Sequence, residues 1–275
     1  MYLEQQLDGD SIEVLVLGTS HALYGIAPEY FSVKGFNLAH VDQSFDYDKE
    51  LTLKYLPSLK KLKLVILPVS YSTFYFQLEN SVEAWRTYFY KHYWDIKDSN
   101  TSIWDSRYYS ISMTYGNGQT FNFIKGGFKE NWGLGIKRDG WQFIDMIGDS
   151  STINDVSARD RVRFFNDNIE HGDFASVTKD VEAFVAMLKA KGIKTVFVTI
   201  PTYKTFRKFC NPKIIDGNKA EVNRLCSKYG CSYYNYFNDN RFELKEFSDN
   251  DHLNNMGAKK LSEIMDADII RTTIH

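Results

Sequence analysis

The amino-acid sequence predicts an α/β protein with a mainly parallel sheet of five strands covered by helices on both faces. Short apolar runs rich in Val, Ile and Leu alternate with longer segments whose apolar residues recur at helical spacing. This alternation occupies both ends of the chain, and a long aromatic-rich stretch separates them. A chain of 275 residues can bury a three-layer core, and 43% hydrophobic and 25% charged residues are ordinary values for one globular domain.

The first part of the chain supplies three predicted strands and two helices. Each strand is a short apolar run next to a glycine, a proline or a lysine, which is typical of strands buried in a parallel sheet. We predict strands at residues 13–17, 35–38 and 62–67, and helices at residues 28–32 and 46–59. The third strand ends at Pro68, which cannot donate a hydrogen bond to a sheet.

The last third of the chain repeats the alternation. We predict helices at residues 176–191, 218–229 and 257–267, and strands at residues 194–200 and 232–236. Five strands that alternate with helices imply right-handed crossovers and a three-layer α/β/α, flavodoxin-like arrangement. In such a sheet, ligands bind beyond the carboxyl ends of the strands, so we expect the functional residues there.

A stretch of about one hundred residues, from 71 to 171, lacks this alternation; it is called the inserted segment below. It contains all five tryptophans, Trp85, Trp94, Trp104, Trp132 and Trp141, and many tyrosines and phenylalanines. Because it follows the third strand, it leaves the sheet at the carboxyl edge. We therefore predict one domain over residues 1–275 with a helical cap inserted at 71–171, whose aromatic residues mostly form a small core of their own while a few face a substrate.

Two short motifs near the ends of the chain indicate acyl-transfer chemistry. They read Gly18-Thr19-Ser20-His21 after the first strand and Asp249-Asn250-Asp251-His252 before the last helix. A serine hydroxyl is a poor nucleophile unless an imidazole accepts its proton and a carboxylate orients that imidazole. We predict Ser20 as nucleophile, His252 as base and Asp249 as the group that orients it. Asp251 is the less favoured orienting group, because it directly precedes His252.

The two motifs resemble those of the SGNH (GDSL-like) hydrolases. Gly18-Thr19-Ser20 stands where this family has its first conserved block, and Asp249 and His252 have the three-residue spacing of its last block. The extended motifs look most like the branch of cell-envelope and polysaccharide O-acetyltransferases and acylhydrolases, and the match covers roughly the first 75 and last 85 residues. This resemblance implies a serine acyl-ester hydrolase or O-acetyltransferase that acts on acetyl esters of a carbohydrate through an acyl-enzyme on Ser20.

The donors that bind the oxyanion in this family differ here. No glycine follows the second strand, so we expect the backbone N–H of Ala39 to serve, and Ser70 stands nearest to the position of the family's asparagine. Together with the Ser20 N–H, these groups form the expected oxyanion hole. Further candidates for supporting or substrate-contacting roles are His21, Asn37, Tyr71 and Asn254, of which Asn254 is expected to cap the last helix. The altered donors leave open an SGNH-fold protein that lacks catalysis and acts as a carbohydrate-binding or scaffold module.

Charge and cysteine content exclude several other functions. The formal net charge of −2, with scattered lysines and arginines, argues against a nucleic-acid partner. The spacing of Cys210, Cys226 and Cys231 indicates neither a disulfide framework nor a zinc site, and we predict no metal or cofactor. The sequence shows no membrane-spanning stretch and no signal peptide, so we expect a cytoplasmic protein, or an envelope-associated one if an upstream anchor precedes it.

Overall fold

The computed structural model describes residues 11–97, 101–110, 135–137 and 139–274. Its strands are β1 Val14–Val16, β2 Gly35–Asn37, β3 Leu64–Pro68, β4 Gly135–Ile136, β5 Gln142–Phe143, β6 Lys194–Thr199 and β7 Ser232–Asn235. Five of them form one sheet in the order β2-β1-β3-β6-β7, and every pair in it is parallel. The two-residue strands β4 and β5 form a separate antiparallel pair.

Helices connect the strands and follow them. They are α1 Ser20–Gly25, α2 Phe45–Tyr55, α3 Thr87–Trp94, α4 Asp155–Ile169, α5 Phe174–Ala190, α6 Lys204–Phe209, α7 Pro212–Tyr229, α8 Asn255–Met265 and α9 Arg271–Ile274. Short 3₁₀ turns lie at Pro28–Tyr30, Leu78–Asn80, Ala84–Arg86, Ser106–Tyr108 and Leu244–Glu246, and a π-helical turn at Asp266–Ile270 joins α8 to α9. Among the described helices, none is both long and apolar enough to cross a membrane.

Two apolar cores cover the two faces of the sheet. Successive strand residues point to opposite faces, so Leu15 and Val65 belong to one core while Val14 and Ile66 belong to the other. The first core also contains buried side chains of α2, α5 and α7, and the second contains those of α1 and α8. Helices therefore pack on both faces, and the predicted three-layer α/β/α arrangement with a five-stranded parallel sheet is confirmed.

The element boundaries differ from the predictions where local capping decides them. Helix α7 begins at Pro212, six residues before the predicted start, because the Asn211 side chain accepts the Lys213 N–H and proline suits the first helical position. The predicted helix at residues 28–32 is only a 3₁₀ turn, Pro28–Tyr30.

The described part of the inserted segment contains two α-helices, α3 and α4, with 3₁₀ turns and the β4–β5 pair between and around them. Its tryptophans have different environments: Trp94 and Trp141 are buried, Trp104 is 91% exposed, and Trp132 lies outside the described residues.

A buried carboxyl group holds the turn between β1 and α1. Gly18 has a φ of +108°, a conformation that favours glycine, and a Cβ there would lie 3.3 Å from the Pro68 ring. Its N–H donates to Oδ1 of Asp48 in α2 at 2.8 Å, and the Gln43 amide donates to the same oxygen at 2.6 Å. Burial raises the pKa of the Asp48 carboxyl to about 7, although both of these hydrogen bonds lower it.

We expect Asp48→Asn to become more stable relative to the wild type as the pH rises. A carboxyl whose pKa is raised to about 7 by folding stabilises the fold below its ordinary pKa of 3.8, and this contribution is lost as the pH rises through 7. Asparagine keeps the oxygen acceptor and cannot ionise. The difference in the free energy of unfolding should therefore grow by roughly 1.4 kcal/mol per pH unit within this window.

Urea denaturation at several pH values across this window measures the difference. The control is Asp160→Asn, which removes an exposed carboxylate from α4 and should give a curve parallel to that of the wild type. A parallel curve for Asp48→Asn as well would contradict the prediction.

Candidate active site

The carboxyl edge of the sheet brings Ser20 and His252 together. Ser20 is the first residue of α1, directly after the Gly18 turn, and is 6% exposed. His252 lies in the loop before α8, and its Nε2 is 2.8 Å from the Ser20 Oγ, although the two residues are 232 positions apart in the chain. The serine hydroxyl and the imidazole are thus within hydrogen-bond distance.

Asp249 contacts the other nitrogen of the same ring. Its Oδ2 lies 2.8 Å from His252 Nδ1, and its Oδ1 accepts the backbone N–H groups of Asp251 and His252. The carboxylate is therefore oriented by its own loop, and the tautomer that donates Nδ1–H to it leaves Nε2 free to accept the Ser20 proton. The three residues singled out by the sequence motifs form one continuous hydrogen-bonded chain.

Hydrogen bonds to backbone atoms fix the loop that carries His252. Ser248 N–H donates to the His252 carbonyl at 3.0 Å, and Phe247 pairs with Leu253 in a single antiparallel bridge. Asn254 accepts the N–H groups of the first turn of α8, while its amide donates to the carbonyls of Lys245 and Phe247. The expectation that Asn254 caps this helix is confirmed, and its side chain serves the loop.

Opposing effects act on the charge of His252. Burial lowers the pKa of its imidazole, but the negative charges of Asp251 and Asp249 outweigh that effect, so the pKa is raised from its ordinary value. The ring of His21 stacks on the His252 ring with centroids 4.9 Å apart, and Tyr24 meets it edge-on at 5.4 Å. His252 is thus held on several sides and has an increased affinity for a proton.

A second group of charges lies beneath the imidazole. The Asp251 carboxylate, whose side chain is 0% exposed, contacts His21 Nε2 at 3.1 Å and accepts Arg161 Nε with both oxygens at 3.0 Å. Burial raises the pKa of Asp251, but the neighbouring His252, Arg161 and His21 lower it by more. The pKa is therefore well below its ordinary value, and the carboxyl is ionised. Burial lowers the pKa of His21, against the opposing hydrogen bond with Asp251, so this ring is neutral.

The sequence motifs did not identify Arg161. It lies on α4 in the inserted segment, ninety positions from Asp251, and stacks on the Phe165 ring at 4.6 Å. No motif marks it, because an arginine on an amphipathic helix is indistinguishable in sequence from a solvent-exposed one. His21, by contrast, was a candidate, and its contacts are with Asp251, His252 and Phe165.

The same cluster contains the ligand types of a metal site. His21, Asp251 and His252 each offer a ligand atom, and these atoms lie within 4.8 Å of one another. However, the Arg161 guanidinium binds both oxygens of Asp251, and Ser20 and Asp249 engage both nitrogens of His252. A cation would have to displace these partners beside a fixed positive charge, so the residues do not fit a metal ion.

The two expected oxyanion donors outside Ser20 are both occupied by other partners. The Ala39 N–H donates to Asn37 Oδ1 at 3.0 Å, and the Asn37 amide donates to the carbonyls of Ala22 and Ile26. Asn37 thus joins the end of β2 to α1, and the Ala39 N–H is not free for a substrate. The Ala39 N–H therefore has an acceptor at the end of its own strand, and Ala39 as an oxyanion donor stays a prediction.

Ser70 is also misplaced for the expected role. Its hydroxyl is 2.9 Å from the Thr73 hydroxyl, and it lines small cavities beside His21, Tyr71 and Thr199 that do not include Ser20. Tyr71 donates its hydroxyl to Asn166 at 2.9 Å and accepts the Asn211 N–H, so it connects α4 to α7. Tyr71 thus contacts α4 and the start of α7, and the residue near Ser70 that lines the cavity of Ser20 is a neighbour two positions later.

That neighbour, Ser72, lines the cavity that contains Ser20. The cavity has a volume of about 10 Å³, and its other lining residues are Thr19, Asp42, Phe76, Phe164, Phe165 and Asn168. No hydrogen bond of the Ser72 hydroxyl occurs among the described residues, and no acceptor for the Ser20 N–H occurs among their backbone hydrogen bonds. These two groups are candidate donors beside the nucleophile.

Asp42 is a further cavity residue that the motifs missed. It has a φ of +52° and lies 3.3 Å from Arg86 of the inserted segment. Burial raises the pKa of its carboxyl, while Arg86 lowers it. The cavity thus has a polar side at Thr19, Asp42 and Ser72 and an aromatic side contributed by the inserted segment.

Comparison with known proteins gives a distant likeness to solved structures. No protein-family model matches the chain, and no curated protein matches it. Among solved structures, the chain is similar to the crystal structure of "a putative acylhydrolase" from Bacteroides fragilis NCTC 9343. The two are 11% identical, with a TM-score of 0.48, over 99% of this chain and 95% of that one.

Proposed function

We propose that this protein is a serine-dependent acyl-ester hydrolase or O-acetyltransferase. The single observation that carries the proposal is the hydrogen-bonded chain from Ser20 Oγ through His252 to Asp249, with both links 2.8 Å long. This is the arrangement of nucleophile, base and orienting carboxylate that acyl transfer requires. The SGNH-like motifs that contain these residues support the same chemistry.

In this mechanism, the Ser20 oxygen attacks an ester carbonyl while its proton passes to His252 Nε2. The imidazolium that forms is stabilised by Asp249 at Nδ1. His252 then gives the proton to the departing alcohol, which leaves an acyl group on Ser20. In the second half, His252 takes a proton from the acceptor, whose oxygen attacks the acyl carbon; the bond to Ser20 then breaks, and His252 returns the proton to the Ser20 oxygen.

The oxyanion of each tetrahedral intermediate requires donors that are already in place. We assign this role to the backbone N–H of Ser20 and to the hydroxyl of Ser72, because both face the cavity without a competing partner among the described residues. Ala39 and Ser70 are not included, since the Ala39 N–H donates to Asn37 and the Ser70 hydroxyl contacts Thr73 and lines other cavities.

The cavity supports a short acyl group. Its volume of about 10 Å³ is near the smallest that admits one water-sized sphere, so the proposal takes the smallest common acyl group, acetyl. Together with the family resemblance, this favours acetyl esters of a carbohydrate. Water as the acceptor gives a deacetylase, and a sugar hydroxyl gives an O-acetyltransferase. In this proposal the inserted segment acts as a cap, because it supplies most of the cavity's aromatic wall.

A second candidate function is a carbohydrate-binding or scaffold module that retains the fold without catalysis. The observation that favours it is the loss of the expected donor at Ala39, whose N–H is bound by Asn37. Removing one oxyanion donor costs about 3 kcal/mol of barrier in a serine hydrolase. The experiments below distinguish the two functions.

We expect a fluorophosphonate to add its mass to Ser20 of the folded wild type and not to Ser20→Ala. The same substitution should reduce hydrolysis of an aryl acetate and of an acetylated glycan by several orders of magnitude, because it removes the hydroxyl that His252 activates. Intact-mass spectrometry and a rate assay measure these outcomes. The control is Ser70→Ala, which should be labelled like the wild type. Absence of labelling in the folded wild type would favour the binding module.

Ser72→Ala should lower kcat for aryl acetate hydrolysis by about 10²-fold, with little change in KM, because the hydroxyl acts on the oxyanion only. The matched control, Ser70→Ala, removes a hydroxyl two positions away that is engaged by Thr73, and should retain most activity. Steady-state kinetics on both variants decide the assignment. A larger loss in Ser70→Ala than in Ser72→Ala would restore the original donor.

Phe76→Ala should shift the acyl preference from acetyl towards butyryl esters, because it removes an aromatic ring from the cavity wall. The ratio of kcat/KM for aryl butyrate and aryl acetate measures this preference. The control is Phe74→Ala, two positions earlier, whose ring is buried in the main core and does not line this cavity. An equal change of the ratio in both variants would mean that loss of packing, and not cavity shape, sets the preference.

A further inference from the structure

We propose that Asp251, with Arg161 and His21, is a positioning unit that makes His252 the single proton acceptor of the site. This inference rests on the proposed function, because the proton it directs is that of Ser20. Asp251 and Arg161 would set how strongly His252 holds a proton, and His21 would support the ring from below. None of the three contacts the ester in this scheme.

Geometry places the Asp251 carboxylate beside the Nε2 atoms of two stacked imidazoles. Its Oδ2 lies 3.1 Å from His21 Nε2 and 3.9 Å from His252 Nε2. The two rings stack with an interplanar angle of 27°. A fully buried carboxylate is costly unless it is paired, so it holds its partners in fixed positions. The stacked ring of His21 therefore prevents His252 from tilting away from Ser20.

Charge decides which ring takes the proton. Two stacked imidazolium ions would repel each other, so only one of the two rings can be positively charged at a time. Burial lowers the pKa of His21, whereas the charges of Asp251 and Asp249 overcome burial and raise that of His252. Of the two rings, His252 is the one that Asp249 contacts, and this asymmetry directs the proton to the ring beside Ser20.

Arg161 opposes the increase in the pKa of His252 that the two carboxylates cause. Its guanidinium is held against Phe165 and Phe164, at 4.6 Å and 5.4 Å, and it opposes protonation of both rings. The remaining charged or titratable groups near His252 are Tyr24 on α1 and Asp42 in the loop after β2. The basicity of His252 is therefore a balance between two carboxylates in its own loop and one arginine from the inserted segment.

The test compares two substitutions that should have opposite effects. His252 must be neutral to act as a base, so kcat/KM rises with pH through the pKa of His252. Asp251→Asn removes a negative charge, lowers that pKa and moves the acid limb of the profile to lower pH. Arg161→Gln removes a positive charge and moves the limb to higher pH. Each shift should be about one pH unit.

Arg163→Gln is the matched control. Arg163 lies two positions from Arg161 on the same helix, is 67% exposed and pairs only loosely with Asp160 at 3.7 Å. Its substitution should leave the profile unchanged, and Arg161→Lys, which keeps the charge, should restore the wild-type limb. If Asp251→Asn does not fold, as judged by circular dichroism, the Arg161 variants and their control still carry the test.

A second readout does not depend on activity. Imidazole ¹⁵N NMR of the same variants measures the pKa of His252 directly. In a His21→Gln background, which lacks the competing ring, the opposed pKa shifts should persist. If the pKa of His252 is unchanged in Asp251→Asn and Arg161→Gln, or shifts in the same direction in both, the proposed positioning unit is overturned. Opposed NMR shifts in a protein whose Ser20 resists fluorophosphonate would retain the unit and reject the proposed function.

Discussion

The Asp251 carboxylate is completely shielded from water, and its need for compensating partners joins the parts of this site. An ionised carboxylate without partners could not remain buried at this depth. Its partners come from α1 through His21 and from α4 through Arg161, while the carboxylate itself belongs to the loop before α8. One buried charge thus fixes the relative positions of the first helix, the inserted segment and the last loop.

Two aspartates in one loop have different roles because their surroundings differ. Asp249 is 45% exposed and binds two backbone N–H groups as well as His252 Nδ1, so it can orient the imidazole at little desolvation cost. Asp251, two residues later, faces the interior and holds His21 and Arg161. The same residue type therefore takes two different tasks because the tight turn sends the two side chains in different directions.

The inserted segment belongs to the site and not only to the surface. Arg161 and the cavity residues Ser72, Phe76, Phe164, Phe165 and Asn168 all come from it. Their side chains supply a positive charge, a hydroxyl group and an aromatic wall next to the Ser20 hydroxyl. The identity of the acceptor in the proposed reaction, water or a sugar hydroxyl, depends on how this segment meets the edge of the sheet.

The sequence by itself determined the five strands of the main sheet, the three-layer fold and the proposed pairing of Ser20 with Asp249 and His252. Those features follow from local signals: apolar periodicity sets the elements, and parallel strands bring the two end motifs to one edge. Only the tertiary structure decided that Asn37 occupies the Ala39 N–H, that Ser72 replaces Ser70 at the cavity, and that Arg161 reaches Asp251. The first is a contact over two residues whose geometry is set by the anchoring of Asn37 to α1, and the other two depend on which side chains meet across packed elements, which no local pattern encodes.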